Sequence, residues 1–440
     1  MSELSNGLTI PTERTVVEKD SADILHRLGP GLITGAADDD PSGIATYSQV
    51  GAHFGFGMLW TMLFSLPLMT AIQEICGRLG RITGVGIAEN LRRHYPKALT
   101  YSLVFLLCAA NIFNVGADIS AMGAATKLVF GGSGSAYAVL LGLVSLLLQT
   151  YVPYRKYVHY LKWLTLSLFA YVATAFIVHV PWLMALRGTV VPSVSPHAEY
   201  WMALVAVLGT TISPYLFFWQ TSQEAEEVRI NKSEFPLKRR PSQAATQFRR
   251  IALDTRVGMA FSNLVAFFII LTTAVTLHAS GSDAGIQTAA DAAKALQPLA
   301  GPLAFGLFAM GIVGTGMLAV PVLTGSAAYA VSETFRWRAS LESKPNRAPK
   351  FYRFLAVATL IGIVMNFVGI DPIRALYWSA VINGVVSVPL MVILMLMSAN
   401  RAVVGKFELP PYLRIIGWIA TAIMFFASVG FLATQFLGLR

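Results

Sequence analysis

Charge is what this 440-residue chain has least of. Asp, Glu, Lys and Arg make up 13% of it, about half the share usual in a soluble domain, while 55% is hydrophobic and the mean hydropathy is +0.60. That balance excludes a soluble globular protein and implies one integral to a lipid bilayer. Cysteine is almost missing too: Cys76 and Cys108 both lie in apolar runs without metal-type spacing, so neither a disulfide framework nor a thiolate centre is implied. No HExxH, GxSxG or paired-histidine cluster occurs within those runs, which leaves no triad for an enzyme. The chain reads as a non-enzyme without a resident cofactor. Its net charge of +10 does not imply a nucleic-acid partner, because the basic residues are scattered in short stretches between apolar runs.

Long apolar sequence is what the chain has in abundance. Runs near 30–50, 57–77, 99–128, 135–154, 158–184, 200–223, 257–280, 298–332, 352–370, 374–398 and 412–437 predict eleven transmembrane helices. About 20 residues of helix are needed to cross roughly 30 Å of hydrocarbon. Alternate loops are basic, with Arg78, Arg81, Arg92, Arg93 and Lys97 in the first, Arg155 and Lys156 in the next, and seven basic residues between Arg229 and Arg250 in the third. Residues 336–350, then Arg401 and Lys406, continue the series, whereas the opposite loops hold little beyond Arg187, Lys294 and Arg374. Basic loops stay in the cytoplasm. The expected placement is the plasma membrane, as in a bacterial inner membrane, with the N-terminus cytoplasmic and the C-terminus outside. Residues 1–27 lack a secretory apolar core and are expected to form a mobile cytoplasmic tail, with 28–440 a single membrane domain.

The first span contains Asp38, Asp39 and Asp40, followed by Pro41, Ser42 and Gly43. A carboxylate in hydrocarbon costs about 2.5–3.5 kcal/mol on insertion scales, so three together require a water-filled cavity, a cation or the membrane edge. Pro41 disfavours helix at Asp40 and removes a backbone donor, so the helix is predicted to break there. Span six carries a matching feature, Gly209-Thr210-Thr211 and Ser213 before Pro214. Breaks at corresponding places in two halves point to an inverted-repeat transporter with its site at the midplane, where freed carbonyls can coordinate an ion. The halves fall at about 28–190 and 198–399, with an extra helix at about 410–438.

At these residues the chain resembles the NRAMP family of divalent metal transporters. "GPGLITGAADDDPSGIATYSQVGAHFGFGMLW" is similar to the family's first-helix pattern, in which Asp-Pro-Gly-Asn breaks the helix; "GRLGRITGVGIAENLRRHYP" matches the stretch after the second helix, and "NVGADISAMGAA" the third-helix segment with its Asp at Asp118. The resemblance implies a LeuT-type all-α fold of eleven or twelve helices, a 5+5 inverted repeat with helices 1 and 6 broken. It also implies Asp40 and the carbonyls of Ala37 and Thr210 as ion ligands.

The departures alter the expected chemistry. The family's Asn ligand falls on Gly43, its sixth-helix Met on Ser213, the following His on Tyr215, a further His on Gln220 and a third-helix Glu on Ala121. Without a thioether the preference for softer transition metals goes, and a small oxygen-lined site leaves room for the waters that Mg²⁺ retains. This pattern resembles the NRAMP-related magnesium transporter branch. The expectation is an alternating-access carrier of Mg²⁺, and of Mn²⁺, without proton coupling, since few titratable groups remain along the family's proton route. A proton-coupled Mn²⁺ or Fe²⁺ importer and a sodium-coupled organic-solute carrier are the alternatives. Asp40, Gly43, Ala37, Thr210 and Ser213 are the candidate metal site; Asp38, Asp39, Asp118, Tyr215 and Gln220 are candidates for its surroundings or the ion path. Gly43 also reads as a plain helix breaker and Ser213 as a core hydroxyl. Asp118 could instead pair with a base such as Lys127, Glu74 is expected to be paired or interfacial, and "QTSQEAEEVR" to be a solvated helix end.

With an odd number of spans the two termini lie on opposite sides. Epitope tags at each end, probed in intact and in permeabilised cells, should show the C-terminal tag reached without permeabilisation and the N-terminal tag only after it.

Overall fold

A computed structural model of the chain describes residues 30–153, 156, 166–231, 233–280 and 286–437, and these form helices and their connections, with no strand among them. The expected tail at 1–27 lies outside the described residues. The principal helices are α1 (Pro30–Asp38), α2 (Pro41–Phe54), α3 (Trp60–Thr83), α4 (Ile87–His94), α5 (Lys97–Phe130), α6 (Gly134–Tyr151), α7 (Phe169–Ile177) and α8 (Trp182–Val190). They continue with α9 (Ala198–Thr211), α10 (Pro214–Ile230), α11 (Ala244–Thr276), α12 (Ala304–Thr334), α13 (Pro349–Met365), α14 (Pro372–Ala399) and α15 (Pro411–Leu437).

Among the described residues, seven helices are long and apolar enough to cross a membrane, or eight if α2 and α3, which meet at a bend of 108°, are counted as one. Eleven is not reached by that criterion, for local reasons. The first span is divided between α1 and α2, much of the fifth lies outside the described residues, and the ninth is a helix of only 17 residues. The seventh differs in the other direction. Its helix begins at Ala244, well before the apolar run, so Arg249 and Arg250 sit in its early turns rather than in a loop.

Both predicted breaks are present. Asp40, between α1 and α2, has φ −72° and ψ 169°, and Ser213, between α9 and α10, has φ −79° and ψ 133°. Each is an extended residue followed by proline at the first helical position, where the missing N–H costs nothing. The packing repeats when the halves are exchanged. The broken pair α1–α2 lies on α11 while α10 lies on α3; α5 pairs with α6 as α12 pairs with α13; and α5 crosses α12 at the centre.

Small residues permit these crossings, as is usual where helices meet in lipid. Gly35 of α1 faces the backbone of Gly258 in α11, and Gly209 of α9 faces the backbone of Ala380 and Gly384 in α14. Gly316 of α12 abuts Met122 of α5 and the ring of Pro41, which brings the central crossing against the first break. Gly209→Leu should therefore cost about 3 kcal/mol or more through overpacking against backbone, read as a lowered melting temperature of detergent-purified protein. Gly306→Leu, at a position with open space around it, should leave the melting temperature unchanged.

Candidate functional site

Asp40 caps α2. Its Oδ1 accepts from the Ser42 hydroxyl at 2.6 Å and the Gly43 amide at 2.7 Å, and its Oδ2 accepts from the Asn114 side-chain amide of α5 at 3.1 Å. Asn114 is oriented in turn by the Ser379 hydroxyl of α14, which donates to its oxygen at 3.0 Å. Capping accounts for the Oδ1 contacts. Oδ2, with one donor, keeps a lone pair.

The ends of the two broken spans are joined by two tyrosines. Tyr215, in the first turn of α10, donates its hydroxyl to the carbonyl of Ala37 near the end of α1 at 3.0 Å. Tyr47 of α2 meets the Thr210 hydroxyl at the end of α9, also at 3.0 Å. Each second half thus reaches across to the first half of the other span. Ser213 does not cap α10; its hydroxyl turns back onto the carbonyls of Gly209 (2.5 Å) and Thr210 (2.9 Å), groups the break leaves without helical partners. Gly43 lies against this cluster: a Cβ there would stand 3.3 Å from the Tyr47 ring and 3.5 Å from both the Asp38 carbonyl and Asp40 Oδ1. The structure therefore brings Asp40, Gly43, Ala37, Thr210, Ser213 and Tyr215 together at the paired breaks.

Asp38 and Asp39 are 1% and 3% exposed, and both approach the Ser262 hydroxyl of α11, at 2.6 and 2.9 Å. One hydroxyl proton cannot satisfy two carboxylates, and Asp38 Oδ1 has no hydrogen-bond partner. Asp118, fully buried on α5, has no partner for either oxygen; it stands four residues, one helical turn, after Asn114 and so on the same face. Pairing of Asp118 with Lys127 does not occur, because Lys127 is exposed near the end of α5. Gln220 accepts from the Thr34 hydroxyl and ties α10 to α1, with its amide nitrogen unpartnered. Among the described residues no three His, Cys, Asp or Glu side chains are grouped to hold a metal. Any cation held at the breaks would thus rely on few carboxylates, with carbonyls, hydroxyls and retained water.

The solvated helix end expected at "QTSQEAEEVR" is corrected by the structure. Glu224 and Glu226 are buried: Glu224 meets Arg250 at 2.5 Å and Arg81 at 3.8 Å, and Glu226 accepts from the Tyr329 and Ser340 hydroxyls. Partners more than 20 residues distant in sequence cover what reads locally as a polar terminus. Glu74 is paired, as expected, with Arg78 at 2.7 Å. Asn114, Tyr47, Ser262 and Ser42 were missed as site residues. Asn114 left a signal, an amide one turn from Asp118 in an otherwise apolar helix.

Each cross-break hydrogen bond should contribute to stability, and because the two breaks complete one another their losses should be coupled. Tyr47→Phe and Tyr215→Phe should each lower stability by about 1–3 kcal/mol, since each removes a partner from a buried polar group. The measurement is thermal unfolding of the two single variants and the double.

The family model described as "Natural resistance-associated macrophage protein-like", Nramp, matches residues 31–434. A protein of Klebsiella pneumoniae strain 342, "Divalent metal cation transporter MntH", is 26% identical over 408 residues, 91% of this chain and 92% of its own length. Among solved structures, a manganese transporter of Eremococcus coleocola superposes with a TM-score of 0.72 at 17% identity, covering 97% of this chain and 88% of that one. Mhp1, a nucleobase-cation-symport-1 family transporter in a closed conformation, gives a TM-score of 0.60 at 13% identity, covering 93% and 91%. These likenesses establish the LeuT-type, all-helical architecture expected from the sequence.

Proposed function

The chain belongs to the Nramp family, matched over residues 31–434, and from that premise we propose that it carries divalent metal cations across the membrane by alternating access, Mg²⁺ foremost and Mn²⁺ as well, without a coupled proton. The relatives named as a divalent metal cation transporter and a manganese transporter support the cation class. The observation that carries the finer reading is the oxygen-only lining of the paired breaks. Where the family resemblance places a thioether, the Ser213 hydroxyl is folded onto two carbonyls, and where it places an amide there is Gly43. A cradle of carboxylate, carbonyl and hydroxyl oxygen, with no thioether, suits a hard cation that keeps part of its water.

Asp40 is the residue that meets the ion, through the oxygen not saturated by capping. The carbonyls of Ala37 and Thr210, which accept from the Tyr215 and Ser213 hydroxyls, are the further ligands, reached when those hydroxyls turn aside. Asp38, Asp39 and Asp118 add negative potential along the approach. The membrane potential contributes about 2.3 kcal/mol per charge per 100 mV, enough to drive accumulation of a doubly charged ion with no further coupling. A second reading, a proton-coupled Mn²⁺ importer, is favoured by one observation, the unpartnered Asp118 carboxyl, which is free to carry a proton.

Proteoliposome uptake separates the readings. Millimolar Mg²⁺ should inhibit Mn²⁺ uptake with no acidification of the lumen; indifference to Mg²⁺, or acidification tracking uptake, would favour the second. Asp40→Ala should abolish flux with little loss of expression. Gly43→Asn combined with Ser213→Met should shift preference from Mg²⁺ towards Mn²⁺, and an unchanged ratio would remove the ligand assignment.

A further inference from the structure

One cavity lies away from the helix breaks. It measures about 910 Å³ and opens where α4, the end of α10 and the end of α12 meet the connection from α12 to α13. Six arginines line it: Arg92, Arg93, Arg229, Arg336, Arg338 and Arg347. Its three acids, Glu89, Glu226 and Glu333, already have partners. Glu89 is taken by Arg92 and Arg93, Glu226 by the Tyr329 and Ser340 hydroxyls, and Glu333 by the Glu89 amide and, at 3.4 Å, the Ser222 hydroxyl. Arg229 reaches the Gly84 carbonyl at 3.5 Å, which leaves Arg336, Arg338 and Arg347, and among the described residues none of their guanidinium groups has a hydrogen bond or ion pair.

The wall that carries them is built rather than loose. Tyr329 accepts the Leu341 amide at 3.0 Å, Tyr352 donates to the Ser343 carbonyl at 2.7 Å, and the Trp337 amide donates to the Ser332 carbonyl at 2.7 Å. Arg336 has φ +58°, the one non-glycine residue among those described with positive φ. It is the C′ position of α12, the left-handed turn in which helices commonly end, closed here by the Trp337 amide on the Ser332 carbonyl, and this fixes the backbone from which Arg336 projects. Three unpaired guanidinium groups around a fixed cavity repel the divalent cation proposed as cargo. They match instead a ligand with several phosphate oxygens, which the planar fork of arginine grips in pairs. The volume is that of a small-molecule site able to take a nucleotide.

We propose that this cavity binds a phosphate-bearing polyanion of nucleotide size or the phosphate headgroup of an anionic lipid, through Arg336, Arg338 and Arg347. The assignment stands independently of the cation chosen at the breaks. The test uses the full-length protein in neutral detergent with EDTA, titrated with fluorescent ATP and competed with tripolyphosphate. Phosphatidylcholine nanodiscs with and without phosphatidylglycerol, followed by native mass spectrometry, form the lipid arm. The key variant is Arg336→Ala/Arg338→Ala/Arg347→Ala. Its control, Arg239→Ala/Arg240→Ala/Arg249→Ala, removes equal charge from exposed sites outside the cavity. Saturable ATP binding weakened about tenfold or more by the first triple variant and not by the second supports the site and assigns a soluble ligand. Retention of phosphatidylglycerol on the wild type, lost only in the first variant, supports it and assigns a lipid. Equal binding by both variants, or no phosphate ligand held in either arm, overturns the proposal.

Discussion

A helix that stops inside a membrane exposes backbone groups with no water to receive them, and this chain stops two helices there. What makes that tolerable is a reciprocal arrangement in which each interrupted span finishes the other. Tyr215 supplies a donor to α1, Tyr47 joins the end of α9, and Ser213 turns back on the carbonyls of its own first half. Neither break is satisfied alone, so the two must be formed together. The exchange-related packing of α1–α2 on α11 and α10 on α3 holds them at the distance this requires. The buried aspartates of the first span and the oxygen groups of both breaks sit on that joint.

The acids around it are held in a manner consistent with moving a cation rather than storing one. Asp38, Asp39, Asp40 and Asp118 are all buried, and each is bound to hydroxyls, amides or nothing at all; among the described residues no guanidinium or ammonium pairs with them. A permanently paired carboxylate would compete with the passing ion, and a tightly caged one would retain it. The full ion pairs of this region lie instead at Arg81, Glu224 and Arg250, between α3, α10 and α11, where they brace the bundle.

Much of this architecture was legible from residue order because its determinants are local. Proline after an acid or a serine in an apolar run marks a break without reference to anything distant, and both breaks occur where Pro41 and Pro214 place them. What escaped was set by partners far along the chain. The burial of Glu224 depends on Arg81, more than 140 residues away, and that of Glu226 on Tyr329 and Ser340. Tyr47 and Ser262 look like any other polar residue in a span until the fold brings them to Thr210 and to Asp38. The arginine-lined cavity was visible only as loop charge, which the topology rule explained fully and so concealed. Span counting by length was equally limited, since a broken span and a 17-residue helix both fall below the ordinary threshold.

The seam between the first span and α11 has a mechanical corollary. Gly31 and Gly35 bring α1 onto the α11 backbone, Gly31 with its amide on Asp254 at 2.7 Å, and Gly51 sets α2 against Ile270 and Thr273 farther along the same helix. Both pieces of one interrupted rod are thus clasped by a single continuous one, which acts as a splint across the fracture. The alternating access proposed above would have one piece slip along that splint relative to the other. A line of glycines, having no side chains to interlock, is the kind of surface on which such slippage meets least resistance.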